Sequence, residues 1–358
     1  ADRYVDEAVK TLESVPPGPE LAMAYSVRSQ HHMLTNELEQ ADTWGNRAIE
    51  LSQKFGVQDT LAHALNNVGT ALIISGQDKG YDLLEQSLAI SLQHGFHEHA
   101  ARVYTNASEC AMRNRDHARA ARMLEEGVTF DRDHDLDSWT PYLIGILGQF
   151  RLNQGLMDEA DAVVDEVLRG KNLPPVVRIP ALTVKATTTM LRNLSDGRVQ
   201  LDQLLAVALP MREPDRIVPV IMAMAEEAWL RDDHDVCAKL VELAVAECPE
   251  MGAWDRGELA CWYRRAGRDP TSLIPGPHAA PCLAELQGDL ADAAQQWARL
   301  GLPRHQALVL MTMDPQHHPD ALTTAIGIMD RMGATEGAQH ARRLARKYST
   351  TGVKGIKT

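Results

Sequence analysis

A repeat of about 39 residues constrains the fold of this chain more than any other feature of its sequence. The stretch from Thr60 to Gly95 contains two amphipathic stripes joined by a short turn at Gly76. In each stripe the apolar residues recur at the spacing of one helical face. The turn is too short for anything but antiparallel packing, so the stretch predicts a helical hairpin.

The apolar positions of this hairpin recur one unit further along the chain. Leu65 aligns with Tyr104 and then with Leu143, and Asn67 aligns with Asn106. Each hairpin has more apolar surface than one partner helix covers, so neighbouring hairpins are expected to stack. The predicted fold is all-α, a right-handed superhelix of about seven or eight antiparallel helical hairpins that resemble tetratricopeptide repeats.

The pattern divides the chain into five predicted segments. They are an N-terminal helix and linker (1–19), regular repeats (20–266), an irregular loop (267–281), shorter helical hairpins (282–348) and a basic tail (349–358). The loop is rich in Pro and Gly and interrupts the repeat, which makes it the best candidate for a boundary. Because the first residue is Ala1 rather than Met, we expect an excised segment of a longer protein.

The net charge of −13 makes this chain a poor binder of nucleic acid, because Lys and Arg supply the affinity for phosphates. The five cysteines form no C-x-x-C pair, and each lies in a helical pattern, which indicates reduced thiols in a cytoplasmic protein. No apolar run approaches the length of a membrane span, so no membrane contact is expected.

Motifs that would indicate chemistry are incomplete. The tail at 351–358, TGVKGIKT, lacks the spacing of a phosphate-binding loop. The alternating aspartates that begin at Asp131 lack the Gly and Glu of a calcium loop. His94, His97 and His99 cluster without a complete zinc motif, so exposed turn histidines are favoured over a metal site. With no nucleophile elbow and no distinct carboxylate pair, we expect no enzymatic activity and no metal.

Two helical stretches place polar and aromatic side chains among apolar residues. One contains Glu227 and Trp229, and the other contains Glu258, Trp262 and Arg265, which share one helix face. Such a face on the inner helix of a repeat array would line a groove for a ligand or a peptide. The alternative is ion pairing between repeats combined with aromatic packing in the core.

Several stretches follow, in order, the pattern of one known family. They are PPGPELAMAYS at 16–26, TLAHALNNVGTAL at 60–72, LLEQSLAIS at 83–91, EHAARVYTNAS at 98–108, DLDSWTPYL at 135–143, RIPALTV at 178–184, AEEAWLRDD at 225–233, GELACWYRRAG at 257–267 and ARRLARKYSTTGVKGI at 341–356. In this ordered set the chain resembles the helical-repeat region of the large ATP-binding LuxR-type transcriptional regulators, the MalT-like group.

The resemblance implies a sensor and interaction segment that couples a ligand or partner to other domains. The family joins an ATP-binding domain, a tetratricopeptide-like superhelix and a C-terminal DNA-binding helix-turn-helix, and this sequence matches only the superhelix. ATP is therefore expected only in an upstream domain, and no cofactor is expected here. The resemblance and the helix faces together give eight candidate groove residues: Asn67, Asn106, Arg178, Glu227, Trp229, Glu258, Trp262 and Arg265.

The expected partner is a small-molecule inducer or a protein or peptide, and self-association is compatible with the sequence. Binding would act by population shift, favouring one curvature or one contact between domains. Two alternatives stay open. One is a free-standing helical-repeat scaffold that clamps a peptide, and the other is a helical-array enzyme, for which the sequence offers no acid/base site.

Overall fold

The computed structural model of this chain describes residues 2–170 and 173–350. Within these ranges the fold is all-α, with helices, one turn of 3₁₀ helix and connecting turns but no strand. The helical repeat predicted from the sequence is therefore confirmed at the level of fold class. The tail at 351–358, which carries the incomplete phosphate-binding motif, lies outside the described residues.

The chain divides into two compact units, and each is described by itself. The first ends at Leu143 and the second begins at Ile144, so the division falls within one helix, α8. The sequence favoured a boundary in the loop at 267–281 instead. That loop is held against its neighbouring helix, because Ile274 is buried and the Ala279 N–H donates to the Ala253 carbonyl over 3.1 Å.

The first unit is built from consecutive helices that pack in pairs. They are α1 (Asp2–Glu13), α2 (Pro19–Leu34), α3 (Leu38–Phe55), α4 (Gln58–Ile74), α5 (Lys79–His94), α6 (His97–Arg113), α7 (His117–Asp133) and the start of α8 (Thr140–Asn153). Besides these pairs, α4 packs directly against both α2 and α6. We call helices that pack on each other across hairpins the inner helices.

The second unit also begins with paired helices, and α15 to α17, near its end, are shorter. After α8 it contains α9 (Met157–Leu168), α10 (Pro175–Arg192), α11 (Leu194–Ala208), a 3₁₀ turn (Leu209–Met211), α12 (Pro214–Leu230), α13 (His234–Glu247), α14 (Ala253–Arg265), α15 (Ala280–Gln287), α16 (Leu290–Arg299), α17 (Pro303–Leu310), α18 (Ala321–Met332) and α19 (Thr335–Thr350). Its inner helices are α10, α12 and α14. The last helix, α19, packs back against α10 and α12 as well as against α18.

The inner helices keep one register along the chain. The inner helices α2, α4, α6, α10, α12 and α14 begin at Pro19, Gln58, His97, Pro175, Pro214 and Ala253. Neighbouring starts are about 39 residues apart, and α6 to α10 spans two such steps. Positions in different inner helices are therefore equivalent when they lie equally far from the helix start.

The connections explain why each hairpin closes tightly. Gly56 and Gly95 end α3 and α5 with φ of 70°, a left-handed conformation that residues with a Cβ atom rarely adopt. A Cβ on Gly80 would overlap the Gly69 carbonyl oxygen, so the glycines let α4 and α5 approach closely. The Asp116 and Asp233 side chains cap α7 and α13 by accepting from backbone N–H groups of the first turn.

Among the helices of residues 2–170 and 173–350, none combines the length and the apolar character that crossing a membrane requires.

Candidate functional site

The predicted groove residues of α12 are buried in the second unit. Glu227 is 3% exposed, and its carboxylate accepts hydrogen bonds from the Arg231 guanidinium one turn later. Trp229 is 5% exposed and packs its ring 6.0 Å from the Trp262 ring and 4.6 Å from the His340 ring. Neither side chain presents a surface to a ligand in this conformation.

The predicted groove residues of α14 also have partners within the unit. Glu258 lies 3.2 Å from His305 Nε2. Arg265 donates two hydrogen bonds of 2.8 Å to the Glu285 carboxylate, and its guanidinium lies 4.6 Å from the centre of the Trp262 ring. Burial disfavours the charged form of Arg265, yet the Glu285 charge keeps the pKa of Arg265 above its ordinary value, so the guanidinium stays protonated.

These partners come from helices that follow the regular repeats. On α17, the Arg304 guanidinium lies 3.8 Å from the Glu226 carboxylate, which keeps one buried oxygen without a hydrogen bond among the described residues. On α19, Arg343 donates over 2.6 Å to the Leu230 carbonyl at the end of α12. The inner face that the sequence assigned to a groove is therefore covered here by the chain's own helices. That a ligand or partner binds to this inner face stays a prediction.

The register of the inner helices shows which residues of the first unit correspond to these. His63 and Arg102 occupy the sixth position of α4 and α6, as Glu258 does in α14. The tenth position holds Asn67 in α4, Asn106 in α6 and Trp262 in α14.

The ninth and thirteenth positions complete this face. The ninth position holds Asn66 and Thr105, and the thirteenth holds Thr70 and, in α14, Arg265. We call His63, Asn66, Asn67, His99, Arg102 and Thr105 the polar cluster of the first unit.

Two members of the polar cluster bind α2. His63 Nδ1 lies 2.9 Å from the Ser26 hydroxyl, and the Asn67 amide donates to the Ser26 carbonyl over 3.0 Å. His63 is 4% exposed, and burial is the main reason that its pKa falls to about 3, with the nearby Arg102 charge adding to the effect. His63 is therefore a neutral hydrogen-bonding group at physiological pH.

The other side of His63 faces α6. Its ring stacks on His99 with 5.6 Å between ring centroids. Burial and the adjacent Arg102 charge lower the pKa of His99 as well. Arg102 itself lies 5.1 Å from the Trp139 ring, and the Trp139 indole N–H donates to Glu98 over 2.6 Å. Two neutral imidazoles thus lie beside a partly desolvated guanidinium.

Several buried polar atoms of this cluster lack hydrogen bonds within the described part of the chain. Asn66 is 1% exposed, and neither its amide nitrogen nor its amide oxygen has a partner. The Thr105 hydroxyl, the Arg102 Nε, the His99 Nδ1 and the Asn67 oxygen are unpaired in the same way. Unpaired buried groups are uncommon in folded proteins, and their number here makes the polar cluster a candidate site.

The remaining two candidates from the sequence lie at different places. Asn106 is partly exposed on α6, next to Thr105. Arg178 lies in the first turn of α10 in the second unit, where its buried Nε is unpaired. The structure therefore places Asn67 in the polar cluster and Asn106 next to it in α6, whereas the other candidates belong to the second unit.

Sequence reasoning missed His63, Asn66 and Arg102. The signal was the alignment of Asn67 with Asn106, which extends by one helical turn to His63 and Arg102. Of the predicted turn histidines, His97 instead packs 4.1 Å from the His134 ring, and His99 joins the polar cluster. No group of His, Cys, Asp and Glu among the described residues is arranged to hold a metal ion.

A cavity of about 650 Å³ opens elsewhere on the first unit, between the start of α5 and the turn before α7. Its walls carry more acidic than basic side chains, and Arg119 lies 3.5 Å from the centre of the Tyr81 ring. Burial raises the pKa of Tyr81 to about 12, so its hydroxyl stays protonated. Of its carboxylates, Asp78, Asp82 and Glu85 are exposed and Asp116 is half-buried.

Comparison with known proteins assigns no family. No protein-family model matches this chain, and no curated protein matches it. One solved structure that it resembles is a circular tandem repeat protein with novel repeat topology and enhanced subunit contact surfaces. The identity is 14%, over 98% of this chain and 75% of that one, with a TM-score of 0.16. A likeness this weak supports no conclusion about function.

Proposed function

We propose that this chain is the sensor and protein-interaction segment of a LuxR-type, ATP-binding transcriptional regulator. In this proposal the polar cluster of the first unit binds the ligand or partner. The observation that carries the proposal is Asn66, whose amide is almost completely buried and has no hydrogen-bond partner in the described chain.

An unpaired buried amide is costly for a protein that only has to fold. Leaving such a group without its hydrogen bonds costs about 1–3 kcal/mol, whereas an apolar side chain of similar shape avoids that cost. Polar residues that reduce stability are typical of binding sites, where the ligand supplies the missing partner. The alternating donors and acceptors of Asn66, Arg102 and Thr105 suit a polar ligand better than an apolar one.

The link to transcription rests on the sequence resemblance alone. The ATPase and DNA-binding domains would belong to a longer native polypeptide, and occupation of the cluster would shift their populations. A peptide map of the native gene product tests this part. A product that extends far beyond both ends, with an ATP-binding domain and a helix-turn-helix, supports the regulator. A product that ends near these residues favours the alternative, a free-standing scaffold that binds a peptide or protein.

Two adjacent substitutions test the binding site. Asn66→Leu removes an amide without partners, so we expect the ligand-free chain to gain about 1–3 kcal/mol in free energy of unfolding. Asn67→Leu is the matched control, because that side chain donates to the Ser26 carbonyl and its loss should lower stability. Urea unfolding of both variants measures the difference. Equal destabilisation by the two substitutions would show that Asn66 serves the fold.

A ligand screen then addresses binding itself. Amino acids, short peptides, sugars and nucleotides are tested for a shift in the melting temperature of the purified chain. A ligand at a hundred times its Kd stabilises by about 2.7 kcal/mol. We expect at least one class to stabilise the natural chain and to lose its effect in Asn66→Leu. A stabilising ligand that is unaffected by Asn66→Leu would place the site elsewhere.

A further inference from the structure

The last described helix, α19, is held against α12 by a polar contact. The Leu230 carbonyl lies at the end of α12, where helix carbonyls lack partners within the helix. Arg343 Nη2 donates to this oxygen over 2.6 Å and lies 3.0 Å from His340 Nδ1. His340 Nδ1 lies 3.2 Å from the same oxygen, so Arg343 and His340 both contact the Leu230 carbonyl.

His340 Nδ1 lies between two groups, the Leu230 carbonyl at 3.2 Å and Arg343 Nη2 at 3.0 Å. A neutral imidazole either donates from Nδ1 to the carbonyl or accepts there from Arg343. Protonation of both ring nitrogens places a second positive charge 3.0 Å from Arg343 Nη2. The imidazole has little room to turn away, because it is 3% exposed and lies 4.6 Å from the Trp229 ring.

Besides these polar contacts and the ion pair between Arg342 and Asp330 of α18, α19 buries small apolar side chains. Ala338, Ala341 and Ala345 are the buried apolar residues on the described part of this helix. Alanines bury little apolar area, so they contribute less to docking than larger side chains would. The polar contact at Leu230 therefore helps to hold α19 against α12.

We propose that α19 is a releasable strap and that protonation of His340 detaches it from α12. Release would uncover the inner face that contains Trp229 and lies next to Glu227. The strap is separate from the proposed ligand site, because that site lies in the first unit and shares no residue with α19 or α12.

The charges around His340 set the direction of the pH response. Burial lowers the pKa of His340 and is the largest cause. Arg343 and His234 lower this pKa further, whereas Asp232 and the hydrogen bond to the Leu230 carbonyl raise it. The other helices packed against α19, α10 and α18, contribute no group that acts on it. Because the docked form has the lower pKa, docking is strongest above the ordinary histidine pKa and weakens as the pH falls below it.

Hydrogen exchange on the full chain tests the strap. After correction for intrinsic rates, we expect α19 amides to lose about tenfold or more in protection between about pH 7.5 and pH 5. His340→Asn keeps an acceptor near the Nδ1 position and cannot be protonated, so its α19 should stay protected at both pH values. His317→Asn is the control, because His317 is exposed and contacts Asp314. It should behave as the natural chain.

The outcomes separate the strap from general acid sensitivity. Loss of protection in the natural chain and in His317→Asn, but not in His340→Asn, supports the proposal. Unchanged protection in the natural chain overturns it, and so does an equal loss in His340→Asn. If His340→Asn fails to fold at neutral pH, Arg343→Gln replaces it. That variant should expose α19 already at pH 7.5, and full protection of its α19 contradicts the strap.

Discussion

The inner faces of the two units differ in how their polar side chains are satisfied. In the second unit, Glu258 and Arg265 are paired by residues of α17 and α15. In the first unit, Asn66 and Thr105 lie on the corresponding face, yet neither side chain has a hydrogen-bond partner in the described chain. The hairpins and their register are the same. The difference is that α15 and α17 supply partners to the inner face of the second unit.

The comparison shows that a repeat array leaves its inner positions open to different uses. Folding requires only that each hairpin stacks on its neighbours. The side chains at the inner positions then either hold later helices in place, as in the second unit, or keep hydrogen-bonding capacity for something else. Breaking pairs in one unit and removing unpaired groups in the other should therefore have opposite effects on stability.

The largest effect is expected from the buried ion pair of the second unit. Arg265→Met leaves the Glu285 carboxylate buried without its partner and should cost about 3–5 kcal/mol. The double variant Arg265→Met/Glu285→Leu removes both charges and should recover most of that loss. Urea unfolding followed by tryptophan fluorescence measures both, since Trp262 contacts Arg265. A double variant as unstable as the single one would contradict the role assigned to the pair.

An opposite effect is expected at Asp131, a fully buried carboxylate on α7 without hydrogen-bond partners in the described ranges. Burial, with a contribution from Glu98, raises its pKa to about 7, so folding loses stability as the pH rises from about 4 to 7. Asp131→Asn should therefore gain about 2–3 kcal/mol at pH 8 and much less at pH 4. Urea unfolding at both pH values checks this, and a gain independent of pH would exclude ionisation as its cause.

A smaller effect is expected from acid at the polar cluster. The pKa of His63 is lowered to about 3, so its contribution to stability is complete above about pH 6.5 and declines below it. At pH 5 the natural chain should lose about 2 kcal/mol through this residue. His63→Asn preserves a hydrogen bond toward Ser26 without titrating, and it should reduce the loss by that amount. Identical pH profiles for the two proteins would show that His63 is not buried as described.

The smallest effect is expected from an exposed pair of the second unit. Arg268 lies 2.7 Å from Asp235, and both side chains are more than half exposed. Solvent screening limits such pairs to about 0–1 kcal/mol, so Arg268→Ala should hardly change the urea midpoint. A loss comparable to that of Arg265→Met would show that burial does not explain the difference between the two pairs.

The fold was largely predictable because periodicity and turn residues act locally. The stripe that starts at Thr60 lies on α4, and the break predicted at 267–281 separates α14 from α15. The site was less predictable. The contacts of Trp229 and Leu230 involve His340 and Arg343, more than a hundred residues later, and no local pattern reveals them. The alternative weighed from the sequence, ion pairing with aromatic packing, describes the surroundings of Arg265 and Trp262.

The polar cluster could be predicted from the sequence only in part. Asn67 was selected from its alignment with Asn106, whereas Asn66, its neighbour, was not. The two asparagines are indistinguishable by type, and only the position of each side chain shows that one binds Ser26 and the other binds nothing in the described chain. Such information depends on packing between helices rather than on spacing along one of them.

The constant register of the inner helices has a consequence for how this molecule changes in evolution or by design. Since α4 and α6 begin about 39 residues apart, the segment 58–96 is a cassette of one complete hairpin. Its in-frame deletion or duplication would join helix ends that already fit each other. The inner surface of the first unit therefore changes in length by whole hairpins, and deletion of this one would bring Arg102 and Asn106 to the positions at which His63 and Asn67 now bind Ser26.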